Sequence, residues 1–229
     1  MRTLYLDCFS GISGDMTVGA LRDLGVEEEI FKSAISGLGL GDSIRWSFGR
    51  GCRQSIAGWK FDVQADEDAG HGHPGHKHGR SFQQIRSLIE GARLSDFVKI
   101  RSVAVFQRIA MAEGKIHDIP ADEVTFHEVG SIDSLADIVA ACAGIEALEI
   151  ENILASPLVD GSGFIDCSHG RLPVPVPATL EILTGTPIRQ IEEQHELITP
   201  TGAALLAEFS SSFGPMPEMK IERIGYGLG

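Results

Sequence analysis

Leu4-Tyr5-Leu6-Asp7-Cys8-Phe9-Ser10-Gly11-Ile12-Ser13-Gly14-Asp15-Met16 passes from a short apolar run into a glycine turn, and then into Val18, Ala20, Leu21 and Leu24 at helical spacing. That order reads as a strand, a turn and a helix. Working outward, a second helix is predicted from Glu27 to Leu38, with Glu27, Glu28 and Glu29 in its first turn, where the helix dipole favours negative charge. Gly37, Gly39 and Gly41 end it. Ser43 to Gly49 and Gly58 to Ala65 read as strands pairing antiparallel, the second alternating Trp59, Phe61 and Val63 against Lys60, Asp62 and Gln64.

Between Asp66 and Arg80 the apolar pattern collapses, and a flexible His-rich loop is expected over 67–80. Helical periodicity returns at Phe82, Ile85, Leu88 and Ile89, then from a start at Ser95-Asp96 through Val98, Val105, Ile109, Ala112 and Ile116, and again from Ser134 to Leu148. The last third reverts to strands and turns at Asn152 to Leu158, Gly163 to Cys167 and Met219 to Ile224. A helix runs from the Pro173–Pro177 stretch through Leu183, and another from Thr199-Pro200-Thr201 through Phe209. The terminal Gly225-Tyr226-Gly227-Leu228-Gly229 reads as a turn. The fold class is α/β, a layered mixed sheet with a helical middle section. An amino-terminal αβ lobe of 1–66 packs with 81–229 as one compact unit.

The 229 residues, 43% of them hydrophobic, are enough for a substantial core. A net charge of −13 repels phosphate backbones and anionic membrane surfaces, so nucleic acid is not an expected partner, whereas cations are attracted. No stretch approaches the roughly 18 apolar residues of a membrane span, and no signal peptide opens the chain, so neither a membrane partner nor export is expected. Cys8, Cys52, Cys142 and Cys167 are far apart and form neither a zinc knuckle nor a disulfide framework. The cytoplasm is the expected compartment.

Four groups of residues carry candidate chemistry. Ser10, Gly11, Ser13, Gly14 and Asp15 form a glycine turn at a helix amino terminus, whose N–H groups suit an anion such as phosphate. Asp15 competes with that anion and, with Asp7, offers oxygen ligands to a cation; a plain structural turn is the third reading. The motif is neither GxxxxGK[ST] nor GxGxxG. His71, His73, His76 and His78 crowd borderline-soft donors into one loop, suited to collecting or delivering nickel, zinc or copper, or binding them only incidentally.

Glu113, His117, His127, Glu128, Asp133 and Asp137 form a tighter set of nitrogen and oxygen donors. His117, His127, Glu128 and Asp133 are taken from it as candidate metal ligands, with His127 and Glu128 also as the acid/base pair; helix caps and surface ion pairs are the plainer alternative. Arg171 is a fork-shaped donor for phosphate, and Thr199 and Thr201 sit at a helix start that is either a second anion seat or simple capping.

Leu6 to Met16, Phe126-His127-Glu128-Val129-Gly130 with Asp133-Ser134 and Asp137-Ile138, Gly170-Arg171-Leu172-Pro173-Val174-Pro175, Thr199-Pro200-Thr201-Gly202-Ala203 and Gly225-Tyr226-Gly227 together resemble the LarC nickel insertion family. The resemblance implies insertion of nickel into a pyridinium-3,5-bisthiocarboxylic acid mononucleotide, giving the nickel-pincer cofactor of lactate racemase and related enzymes. It also implies dependence on CTP and on manganese or magnesium, both held in a carboxyl-terminal part beyond Gly229 that would be this chain's partner. Thr125 stands where a family histidine is expected, which removes one potential ligand. Homo-oligomerisation is open. So are two other readings, a non-catalytic nickel carrier acting through the His loop and a scaffold for the carboxyl-terminal part.

Overall fold

The computed structural model describes residues 2–65, 79–126, 132–167 and 170–229. Strand β1 (Thr3–Leu6) pairs in parallel with β6 (Asn152–Ala155), which pairs in parallel with β11 (Ser212–Phe213). Leu4 stands opposite Ile153 and Leu6 opposite Ala155. The chain leaves β1 at the carboxyl end of this small sheet, enters the glycine turn and continues as α1 (Gly14–Asp23), so the turn lies where open α/β sheets hold their ligands.

Helix α1 begins because the Ser13 side chain accepts from the Met16 N–H and Asp15 brings negative charge to the first turn. It ends at Gly25, whose φ of +103° reverses the chain into α2 (Glu28–Gly37). Strands β2 (Ile44–Arg53) and β3 (Ile56–Ala65) form the expected antiparallel hairpin, several residues longer than the pattern implied. Gln54 and Ser55 both take positive φ, which gives a two-residue turn matched to the strand twist and lets pairing run to its edge.

After the short strand β4 (Arg80–Ser81), helix α3 (Phe82–Gly91) starts at a capping box in which Ser81 and Gln84 satisfy each other's backbone N–H. Ser95 caps α4 (Asp96–His117), as its position implied. The two-residue β5 (Thr125–Phe126) pairs with β4.

Helix α5 (Ile132–Ala147) is the centre of the molecule: Leu135, Ala136 and every residue from Ile138 to Ile145 are buried. A helix apolar on all sides must be enclosed. Helices α1, α2 and α4 enclose it, and a Cβ on Gly144 would already lie 2.9 Å from Leu21 and 3.1 Å from Phe31. The main core joins Val18, Phe31 and Phe61 to Phe82, Ile109, Ile138 and Leu205, so residues on either side of positions 66–78 share one apolar interior. Each large side chain buried there contributes about 1.5–3 kcal/mol.

The remainder comprises β7 (Leu158–Asp160) with its parallel partner β10 (Ile188–Gln190), the hairpin of β8 (Phe164–Cys167) and β9 (Gly170–Pro173), α6 (Pro177–Ile182) and α7 (Pro200–Phe209). The α/β class with a helical middle section is borne out, the strands being spread over several small sheets. Three local expectations need correction. Asn152 to Leu158 is broken at Ser156-Pro157 into two strands, because proline cannot donate to a ladder. Met219 to Ile224 is not a strand; Gly227-Leu228 instead forms β12, parallel to β3 beside Trp59 and Lys60. Gly225 and Gly227 do not make a terminal turn but let backbone lie against backbone of α1, at Ala20 and Met16.

Candidate functional site

The glycine turn and the start of α7 are built as one joint. Ile12 donates its N–H to the Leu197 carbonyl at 2.8 Å and accepts from the Thr199 N–H at 3.1 Å. Gly11 takes φ +77° and faces the Leu197 backbone, while Gly202, in the first turn of α7, faces the Ile12 carbonyl and the Ser13 Cα. A side chain at either glycine would force the two segments apart. The amino termini of two helices, with the positive ends of their dipoles, are thereby locked side by side; the Met16 and Gly202 N–H groups are taken by the caps Ser13 and Thr199.

Thr199 is the cap of α7, its hydroxyl accepting from the Gly202 N–H at 3.2 Å; Thr201 is buried in the first turn. Ser13 caps α1 and makes a very short hydrogen bond to Asp15. Ser10 is exposed at the mouth of the turn. Upstream, the Ser156 hydroxyl accepts the Cys8 N–H at 2.9 Å and fixes the chain as it leaves β1.

A third segment reaches the same place. Asp137, one turn into α5, packs against Gly14, and a Cβ there would lie 2.6 Å from its Oδ2. Burial first, then the carboxylates of Asp15 and Asp133, push the Asp137 pKa up to about 8, partly relieved by the backbone N–H of Asp15. Asp15, Asp133 and Asp137 are thus one electrostatic group between α1 and α5. Among the described residues no group of three or more His, Cys, Asp or Glu side chains is arranged as a metal site. What the carboxylates supply is a negative locus in which Asp137 keeps its proton up to about pH 8.

Asp7 belongs elsewhere: it is exposed just after β1 and acts on Tyr5 and Cys8. Cys8 itself is buried, and burial followed by Asp7 pushes its thiol up to about 12, which leaves it protonated and a poor metal donor at neutral pH. His117 sits in the last turn of α4, 3.3 Å from Glu113, confirming the shared helical face. A groove of about 680 Å³ at this end of α4 is lined by Met111, Lys115, Ile119 and Glu181, and His117 is not among its lining residues. Arg171 is exposed on β9, with its guanidinium 4.7 Å over the Phe164 ring. Thr125 is exposed on β5.

His71, His73, His76, His78, His127 and Glu128 lie outside the described residues. The sequence connects the last two directly to the start of α5, whose first turn carries Asp133.

Sequence reasoning paired Asp137 with Asp133 by spacing but did not single it out, because spacing shows a shared helix face and not that Gly14 lies opposite. Asp160, which braces the joint, was missed entirely. Its only sequence signal is an aspartate before Gly161.

The nickel insertion protein model matches residues 4–229. The chain is 47% identical to the pyridinium-3,5-bisthiocarboxylic acid mononucleotide nickel insertion protein of Geobacillus kaustophilus, covering all of this chain and 56% of that protein. It is 46% identical to the protein of the same name from Lactiplantibacillus plantarum, covering all of this chain and 58% of the relative. A putative nickel insertion protein of Geobacter sulfurreducens is 44% identical, again over the whole chain and 57% of the relative. The chain therefore spans a little over half the length of these relatives. No solved structure matches. On this likeness, from the first strand to the last glycine, the chain belongs to the nickel insertion protein family.

Proposed function

We propose that this chain is the substrate-seating, nickel-handling part of an enzyme that inserts nickel into pyridinium-3,5-bisthiocarboxylic acid mononucleotide. The observation that carries the reading is the double hydrogen bond of Ile12 to Leu197 and Thr199, which fuses two helix amino termini beside a group of carboxylates. The paired amino termini, with the hydroxyls of Ser10, Ser13, Thr199 and Thr201, seat the mononucleotide phosphate. The carboxylates disfavour a second bound anion and attract the incoming divalent ion. Asp15 and Asp133 attract that ion without enclosing it, and hard oxygen donors do not retain nickel against the sulfur atoms of the substrate. A site that must give its metal away benefits from that mismatch.

His127 and Glu128, joined by the chain to α5, serve this locus as nickel donor and acid/base pair. The four histidines of residues 71–78 collect nickel and pass it on. CTP and manganese or magnesium belong to the carboxyl-terminal part, consistent with the absence of a GxxxxGK[ST] loop in this chain's sequence. The enzyme is then a CTP-dependent nickel chelatase of lyase type that acts in the cytoplasm, serves lactate racemase and related enzymes, and needs both parts for turnover.

The test is to incubate the chain with nickel and the mononucleotide, with and without CTP, a divalent cofactor ion and the carboxyl-terminal part, and to look for the metallated product by mass spectrometry. Metallation in the complete mixture supports the reading; none there overturns it.

A further inference from the structure

Asp160 closes β7 with a side chain that is fully buried. Its Oδ1 accepts three backbone N–H groups, from Gly161 at 2.8 Å, Leu197 at 2.7 Å and Ile198 at 3.3 Å. Its Oδ2 is buried without a hydrogen-bond partner. The segment between Gln190 and Thr199 is wrapped around this carboxylate. Ile191 donates to the Asp160 carbonyl at 2.9 Å, Ser162 to the Glu193 carbonyl at 2.7 Å, and a Cβ on Gly161 would run into the carbonyls of Glu193 and His195.

Leu197 and Ile198 are where this matters. Leu197 gives its N–H to Asp160 and its carbonyl to Ile12, so a single residue separates the buried carboxylate from the glycine turn. Ile198 precedes the α7 cap Thr199, and its carbonyl accepts from the buried Thr179 hydroxyl at 3.3 Å. A buried carboxylate is costly wherever it is not needed, and here one oxygen goes unpaired. The gain is one oxygen that accepts three backbone N–H groups at a point where two irregular segments must meet in one register.

We propose that Asp160 is a positioning residue, which fixes Leu197 and Ile198 so that the glycine turn and the Thr199 cap meet in the geometry that seats the mononucleotide. The proposal rests on the phosphate-seat reading given above, and two readouts separate their fates. Hydrogen exchange at Ile12, Leu197, Ile198 and Thr199 reports the joint, and the dissociation constant for pyridinium-3,5-bisthiocarboxylic acid mononucleotide reports the seat.

In the intact chain, Asp160→Asn keeps an acceptor in place and should hold both readouts, with affinity within about threefold of the original. Asp160→Leu keeps the volume and removes the acceptor. It should lose protection at all four amides, including the two that Asp160 does not touch, and weaken mononucleotide binding about tenfold or more. Nickel binding without the mononucleotide should be unchanged, which a general loss of structure would not allow. If Asp160→Leu does not fold, Asp160→Ser, with one shorter-reaching acceptor, is read in the same way. Unchanged protection at Ile12 and Thr199 in the acceptor-free variant, or an Asn variant that fails as Leu does, overturns the proposal. If the original chain does not bind the mononucleotide while the exchange pattern behaves as described, the seat reading falls and the brace stands.

Discussion

The carboxylate of Asp137 is packed against Gly14: a Cβ on the glycine would lie 2.6 Å from Oδ2 and 2.7 Å from Cβ of the aspartate. Residues in the first turn of α1 and the second turn of α5 therefore meet with no space for a methyl group. Alanine ordinarily gains at most ~1 kcal/mol over glycine in a helix, and less at its first residue. Overpacking against a Cβ held by its own helix costs roughly 1–3 kcal/mol. Gly14→Ala should thus be net destabilising in urea unfolding and should displace Asp137; a variant as stable as the original would show that α1 and α5 can separate freely.

Asp137 also gives the chain a pH signature. An unfolded aspartate titrates near ~4, whereas burial and the Asp15 and Asp133 carboxylates push Asp137 up to about 8 in the native state. Between those values the native protein keeps a proton that the unfolded chain has lost. This contribution to stability is complete below the unfolded pKa and is lost as pH rises toward about 8. Thermal unfolding in the presence of a chelator should accordingly give a midpoint that falls across this window. Asp137→Asn should flatten the fall. Equal slopes for the two proteins would mean that Asp137 is ionised in the native state at neutral pH.

Thr199 caps α7 with its hydroxyl on the Gly202 N–H. Thr199→Ala should cost about 1 kcal/mol of stability and, because the cap borders the proposed phosphate seat, weaken mononucleotide binding severalfold. Thr199→Ser should restore both. A stability loss without any change in binding, measured by calorimetry, would assign the hydroxyl to capping alone.

Glu208, whose side chain is 8% exposed, holds Arg101 at 2.6 Å and Arg108 at 3.0 Å and so ties α7 to α4. Arg101 also lies 5.7 Å from the ring centroids of both Phe97 and Phe209, which pack against each other. Glu208→Ala leaves two guanidinium groups facing each other. Both are partly solvated, so the loss should be about 1–2 kcal/mol rather than that of a buried pair. Urea unfolding measures it; a change below about 0.5 kcal/mol would show that water replaces the carboxylate fully.

These contacts mark what the amino-acid order makes visible. Strand, glycine turn and α1 were legible because apolar spacing changes period at Gly11, and Ser95 and Thr199 because an N-cap is a local device satisfied within three residues. Sheet partnership was not, since β1 finds β6 about 150 residues away and nothing local records the pairing. The site divides in the same way. The glycine turn and the Thr199 motif were visible as separate motifs, but their fusion through Ile12 is a tertiary fact. So are the packing of Asp137 on Gly14 and the brace at Asp160, each made by one residue without periodicity.

The terminal glycines are the plainest instance of an element misread from local signals, and they make a sharp prediction. Gly227 lies with its Cα face on the Met16 carbonyl and 2.7 Å, for an added Cβ, from the Ala20 N; Gly19 in turn faces the Trp59 carbonyl. Both neighbours of Gly227 are helical backbone, so no flexible side chain can yield. Gly227→Ala should lift β12 from α1 and break the hydrogen bond from Trp59 N–H to the Tyr226 carbonyl. It should expose Trp59, shifting its fluorescence to the red, and raise amide exchange at residues 57–60. Gly49→Ala, where an added Cβ meets nothing within 4 Å, is the matched control and should leave both unchanged. If the two variants behave alike, the last five residues rest on the protein without being packed into it.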